Sequence, residues 1–596
     1  MELFAKISGL FVHAAFTLQM TDLNLPLTLL TEIYGSDTAL SLWDKLRARL
    51  AQARPAAKPQ TPWRLTAADA MLISYGDQLS RDGQAPLASL ADFCRGHLTG
   101  LVSCLHILPF YPSSSDDGFA VMDYRQVDPA LGTWSDIRRL GADFHLMFDA
   151  VINHASAQGE WFRAFLRDEP PYNDYFITVT GSPDLSQVVR PRALPLLTRF
   201  EQRSVAKDVW TTFSADQVDL NYKNPRVLLE IIDLLLFYAS QGAEFIRLDA
   251  IAYLWKEPGT TCIHLPQTHR IIQLFRAILN EAAPNVRLIT ETNVPHADNI
   301  SYFGDGSNEA QLVYNFALPP LVLHTLQTAD ARALTEWAAS LRLTSPDVTF
   351  FNFLASHDGI GLNPVRAILP DEAIQALVQR TLAHQGLVSY KHNPDGTDSP
   401  YELNINYFDA LSSPDSSEPL SLQIARFMAA QAILLSIVGL PGIYFHSLFG
   451  SRGWLEGPLQ TGSNRSINRQ KLSAPDLERE LADEGSLRRQ VFGRYAALLR
   501  ARSACAAFDP YGSQISLDCG RSIFGLLRRD AQGSQRVLCL QNISPEPQSL
   551  ALDLHSLPGD RATRPAIRDL LTGAPLPTAP SLTLAPYQTL WLALES

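Results

Sequence analysis

Between residues 70 and 445 short apolar runs alternate with longer amphipathic stretches. Eight runs have strand length: MLISYG (71–76), LVSCLHILPF (101–110), FHLMFDAVIN (144–153), FIRLDAIAY (245–253), RLITETNV (287–294), LVYNF (312–316), TFFNFLASHD (349–358) and SIVGLPGIYF (436–445). Between them TWSDIRRLGA, PRVLLEIIDLLLFYASQ and THRIIQLFRAILNEAA carry apolar residues at helical spacing. Eight strands alternating with helices predict an α/β fold, a (β/α)8 TIM barrel. A doubly wound sheet would give the same alternation. The barrel is favoured because polar residues close several strands at their C-terminal ends, where barrel sites are built.

Two stretches interrupt the alternation, and loops this long in a compact domain are usually functional. Residues 155–210, rich in aromatics and proline, form an expected B domain after the third strand. Residues 359–412, with NPDGTDSP, form an insertion after the seventh. The catalytic barrel is then expected over 67–154 and 211–504. Short alternating strands (SIFGLLRR, RVLCLQNI, LTLAPYQTLWLAL) mark 505–596 as a C-terminal β-sandwich-like domain. Residues 1–66 read as a helical extension and linker: Leu27, Leu29, Leu30 and LWDKLRARL are amphipathic, and ARPAAKPQTP breaks the pattern.

Residues 1–20 have an apolar middle like a signal h-region, but Glu2 and Lys6 cancel and no A-x-A-like site follows. A start at Met20 would open on a more ordinary polar segment. No 18-residue apolar run free of charge appears elsewhere, so no membrane partner is expected. With 49 Lys+Arg against 61 Asp+Glu the net charge is −12, which argues against a nucleic-acid partner. Any anionic substrate must then be met by locally placed cations or backbone N–H groups. Six scattered cysteines (Cys94, Cys104, Cys262, Cys505, Cys519, Cys539) form no CxxC pair, which points to the cytoplasm as the compartment and to no zinc site. The oligomeric state is left open, a homodimer being compatible.

Four strand ends carry chemistry: Asp149-Ala-Val-Ile-Asn153-His154, Arg247-Leu-Asp249, Thr290-Glu291-Thr-Asn293 and Ser356-His357-Asp358-Gly359. Taken singly each has a plain reading: a structural ion pair for R-x-D, a cap for N-H, a turn for S-H-D-G. Together, in barrel order, they converge on one pocket. Glycosidic bond cleavage with retention needs an ionised carboxylate and a protonated one about 5–5.5 Å apart. Arg247 lies on the same strand face as Asp249 and is expected to hold it ionised. Glu291 sits among neutral residues, which fits a raised pKa and the acid/base role.

DAVINH, FIRLDAIAY, LITETN and FLASHDG resemble, in order, the four signature segments of the α-amylase superfamily (glycoside hydrolase family 13). The resemblance implies a barrel with an inserted B domain, Asp249 as nucleophile, Glu291 as acid/base and Asp358 as transition-state stabiliser. Arg247, His154 and His357 would hold the nucleophile and the sugar hydroxyls. ISYGDQL, LHILPFYPSSSDDGF, RPRALPLLT, DQVDLN, KEPGTTCIH, FALPPLVLH and SHDGIG resemble its sucrose phosphorylase branch, which generally works without metal. That branch implies Asp116 and Arg465 closing the glucose subsite, Phe119 against the sugar, and Arg192 and Gln217 facing the acceptor. It implies no cofactor, with phosphate as co-substrate and a small sugar as partner.

After the acid/base that branch carries a Glu-x-His-Ser-Tyr run, whereas this chain reads Glu291-Thr-Asn293-Val-Pro-His296. Asn293 would then face the leaving group. ETNVPHADNISYFG, the lead-in with EIYG and NPDGTDSPYELN resemble bacterial glucosylglycerate phosphorylases, implying phosphorolysis of 2-O-α-D-glucosylglycerate to α-glucose 1-phosphate and D-glycerate. Arg190, Arg192, Lys256, Lys391 and His392 are the candidate cations for those anions. Sucrose, sucrose 6′-phosphate or glucosylglycerol as donor, plain hydrolysis, and a non-catalytic amylase-like module are the alternatives.

Overall fold

The computed structural model describes residues 25–53, 63–202, 205–393, 395–551, 566–576 and 581–595. The expectations for residues 1–20 and for the linker after Ala53 therefore lie largely outside the described residues.

The eight apolar runs become eight strands: β1 Met71–Ser74, β2 Cys104–Ile107, β3 His145–Ala150, β4 Ala243–Leu248, β5 Arg287–Thr290, β6 Leu312–Tyr314, β7 Thr349–Asn352 and β8 Leu440–Tyr444. Every neighbouring pair is parallel, and β8 returns to β1, which closes the barrel. Parallel strands covered on both faces bury nearly every side chain, which is why these runs read as continuously apolar rather than alternating. Gly442 on β8 is fixed by packing, because a Cβ there would sit 2.4 Å from the Phe351 ring.

The outer helices follow the sequence pattern. Pro225–Ser240 starts with proline in its first turn after Asn224, whose side chain accepts from Arg226 N, and it buries Val227, Leu228, Ile231, Leu234, Leu235 and Tyr238. Pro266–Ala282 buries Ile271, Ile272, Phe275, Ile278 and Leu279 in the same way. The lead-in is a helical hairpin, Leu25–Tyr34 and Ser36–Ala53, turned at Gly35, whose φ of 80° suits glycine. It docks on these two helices through Arg49–Asp233 at 2.8 Å and an Arg270–Glu32 ion pair.

The excursion after β3 leaves through His154–Ser156 and returns through Gln217–Asp219, an antiparallel neck lying past the expected end at 210. Within it Leu197–Gln202 pairs with Val205–Trp210. The insertion after β7 is a three-stranded antiparallel sheet, Ile360–Gly361, Asp398–Asn404 and Leu387–His392, with the helix Asp371–Ala383. After the helix Leu487–Ser503 comes a six-stranded sheet with a separate two-stranded one. Ile523, Leu527, Leu538, Leu540 and Leu592 from the first and Leu584 from the second share an apolar cluster of their own. No helix among the described residues is long and apolar enough to cross a membrane.

Candidate active site

The barrel register sets Asp149 of β3 beside Arg247 of β4. Arg247 is 2 % exposed and bridges two carboxylates through one nitrogen: it donates from Nη1 to Asp149 Oδ1, and to Asp249 Oδ1 at 2.8 Å. On the far side of Asp149, His106 of β2 meets Oδ2 through Nε2 at 2.6 Å. A buried chain of four groups, His106, Asp149, Arg247 and Asp249, thus runs across three strands and ends at the cavity. Burial would raise Asp149, but Arg247 and His106 outweigh it and hold its carboxyl at about 2. Burial also pushes Asp249 up, with Arg247 and His154 pulling against it. Arg247, expected to hold Asp249 ionised, is the largest of the charges that oppose burial there.

The turn after β4 bends at Ala250, a non-glycine residue in the left-handed region with φ 49°. That bend aims the Ala250 N–H at Glu291 Oε2, 3.0 Å away at the end of β5. Arg247 Nη2 lies 3.9 Å from the same oxygen, so one guanidinium reaches both candidate catalytic carboxyls. Burial pushes Glu291 up to about 7, with the charges of Asp249 and Asp358 adding to it and Arg247 opposing.

Beyond β7, Asp358 Oδ1 lies 2.5 Å from Arg465 Nη1, 3.4 Å from His357 Nε2 and 3.8 Å from Arg469 Nη2. His357 is neutral: burial and then Arg469, Arg247 and Arg465 hold it well below its ordinary value. Its ring stacks on Phe119 at 4.7 Å and 5°. Phe119 follows a strained turn, since Asp116 and Asp117 have φ of 52° and 50°. Gly118 is required there, as a Cβ would lie 2.6 Å from Pro109 O. His154 Nε2 meets Phe119 O at 3.0 Å.

The structure brings Asp116, Phe119, His154, Arg192, Gln217, Asp249, Glu291, Asn293, His357, Asp358 and Arg465 to the wall of one cavity of about 70 Å³. Arg247 lies directly behind them. Several expectations change. Asp116 and Arg465, the pair expected to close the glucose subsite, both line the cavity; the cation bound to Asp116 is Arg469, at 3.2 Å, while Arg465 is bound to Asp358 and Glu402. The two arginines sit four residues apart around one short helical turn, Asn464–Asn468, so sequence could not tell them apart. With burial overcome by Arg469, Arg465, Arg192 and His357, Asp116 is held at about 2.

Gln217 lines the same cavity as Arg192 and donates to Phe119 O at 3.1 Å and to Asp116 at 3.5 Å. Lys256 is no acceptor cation: it is buried and bound to Asp219 at 2.6 Å and Asn153 at 2.7 Å. Arg190 donates to Leu194 O, and His392 is exposed beside Asp398. Neither these two nor Lys391 lines the cavity. Sequence reasoning missed Tyr253, Tyr401, Glu402, Phe213 and Phe316 on the wall. Tyr401 and Glu402 come from the inserted sheet, far along the chain from any strand-end motif.

Residues 99–360 match the family model described as alpha amylase, catalytic domain. A Spirochaeta thermophila protein named glucosylglycerate phosphorylase is 54% identical over 524 residues, 87% of this chain and 88% of its own. An Escherichia coli protein of the same name is 45% identical, covering 94% of this chain and 98% of its own. The crystal structure of sucrose 6F-phosphate phosphorylase from Thermoanaerobacter thermosaccharolyticum superposes with a TM-score of 0.69 at 25% identity, over 80% of this chain and 94% of that one. The chain belongs to the α-amylase family, with proteins named glucosylglycerate phosphorylase among its relatives.

Proposed function

We propose that the protein is a retaining glycoside phosphorylase that cleaves 2-O-α-D-glucosylglycerate with phosphate. The observation that carries the reading is the 54% identity to the Spirochaeta glucosylglycerate phosphorylase over 87% of the chain. The paired carboxyls around Arg247 support it.

Asp249 attacks the anomeric carbon while Glu291 passes its proton to the departing oxygen of glycerate, giving a glucosyl-enzyme with inverted configuration. Phosphate then attacks the same carbon and gives a proton to Glu291, and the Asp249 ester bond breaks. The second inversion restores the α configuration in glucose 1-phosphate. Asp358 meets the sugar hydroxyls as charge develops on the ring, and Asp116, Phe119, His154, His357 and Arg465 hold the glucosyl unit, with Arg469 behind Asp116. The glycerate and phosphate anions use the side of Asn293 and Arg192, in turn. Phosphate is the co-substrate, and the scheme uses no cofactor.

The test is incubation with glucosylglycerate with and without phosphate. Phosphate-dependent release of α-glucose 1-phosphate is expected. Glucose released at the same rate without phosphate overturns the proposal.

A further inference from the structure

Glu402 is a buried carboxylate that the scheme above does not use. It sits on the strand Asp398–Asn404 of the inserted sheet, paired across from Gly361, and its side chain is 1 % exposed. A carboxylate so far from water is costly unless it is paired and hydrogen-bonded. Here it accepts from Arg465 Nε at 3.0 Å and from Nη2 at 2.8 Å, the planar fork that guanidinium groups offer carboxylates. Its Oε1 also accepts from Gly359 N at 2.6 Å. Gly359 follows Asp358 directly, and the approach is close enough that a Cβ there would lie 2.7 Å from Glu402 Cγ and 2.5 Å from Leu403 O. Three distant segments thus meet at one carboxylate: the end of β7, the inserted sheet and the turn after β8.

Arg465 points its remaining Nη1 at Asp358, 2.5 Å away. Arg469 stands nearby, but Asp116 and Asp117 share its charge at 3.2 and 3.3 Å. Arg465 has Glu402 for the same purpose. Without that carboxylate its whole charge would fall on Asp358 and draw the carboxylate away from the sugar.

We propose that Glu402 is a positioning residue, acting through Arg465 and the Gly359 N–H to hold Asp358 for the glucosyl unit. The inserted sheet is thereby part of the glucosyl-transfer machinery. The inference rests on the assignment of Asp358 above. It does not depend on which acceptor takes the glucosyl group.

The experiment measures fluoride release from α-D-glucosyl fluoride with saturating phosphate as acceptor, in which both half-reactions pass the transition state that Asp358 meets, for the wild type, E402Q, E402A, R465M and E402A/R465M. E402A is expected to lose up to about 100-fold in kcat with KM within about threefold, since misplacing a reacting group by about 1 Å costs that much. E402Q keeps an oxygen for Gly359 N and loses less. The double variant is expected within about twofold of R465M, because the two residues act as one unit. Double-variant losses equal to the product of the single losses overturn the proposal, as does wild-type kcat in both Glu402 variants. Where E402A fails to fold, as judged by circular dichroism, E402Q and an E402Q/R465M cycle carry the same test. A wild type that turns over the fluoride with this coupling, yet does not phosphorolyse glucosylglycerate, overturns the proposed function and leaves the role of Glu402 standing.

Discussion

Glu291 should make both the chemistry and the stability of this protein depend on pH between 4.5 and 7. Its side chain is 12 % exposed, and burial with the neighbouring charges of Asp249 and Asp358 raises its carboxyl from 4.5 to about 7. That is worth about 3 kcal/mol, at roughly 1.4 kcal/mol for each tenfold change in proton affinity. At pH 7 about half the molecules hold the proton that glycerate needs on departure, against about 1 in 300 for an ordinary glutamate. The raised value therefore supplies about 160-fold in the competent population.

The same shift acts on folding in the opposite sense. Between pH 4.5 and 7 the folded chain binds this proton more tightly than the unfolded chain, so stability falls as pH rises through that window. Urea unfolding of the wild type and E291Q at a series of pH values isolates the effect. The stability of E291Q relative to wild type should grow by about 3 kcal/mol from pH 4 to pH 8. In parallel, wild-type kcat/KM for glucosylglycerate should fall about tenfold per pH unit above 7, while that for α-glucosyl fluoride, which departs without a proton, should not. E291Q should keep activity on the fluoride far better than on glucosylglycerate. Parallel unfolding curves for the two proteins, or equal pH dependence for the two donors, would refute the reasoning.

Asp249→Ala should abolish glucosyl transfer in both directions while circular dichroism stays that of the wild type, because no other carboxylate can form the ester. Arg469→Met leaves Asp116 without its cation and should lower kcat/KM for the donor by about 10- to 100-fold, the range of a charged hydrogen bond worth about 1.5–3 kcal/mol. Steady-state kinetics in the phosphorolytic direction check this. Lys256→Met removes the cation from fully buried Asp219, which keeps only the neutral donors Asn153 and Thr212. A loss of about 3 kcal/mol by urea unfolding is expected, with no change in KM for phosphate; a rise in that KM would return Lys256 to the acceptor site.

The barrel was legible because each of its eight strands is buried on both faces, and an apolar run of strand length needs no partner to be recognised. The four strand-end motifs were legible for a related reason: a carboxylate, histidine or arginine that interrupts such a run is costly unless it serves a site. His106 shows the limit. It lies within the run LHILPF on β2, and only the closing of β2 against β3 shows that it anchors Asp149.

The cations were hardest to read, because charge in a sequence carries no record of its counter-charge. Lys256 beside Trp255 and Glu257 looks like a solvated lysine, yet it is bound to Asp219, which returns from the far end of the B excursion. Arg465 and Arg469 stand in one short run, and only Arg465 is also bound to Glu402, 63 residues before it. Of the cations lining the cavity, Arg465 is thus held by two carboxylates, while Arg192 makes no ion pair within 4 Å among the described residues. The reaction type is therefore written at strand ends, where local pattern suffices. Which cation meets which carboxylate is settled by contacts between segments that sequence spacing does not relate.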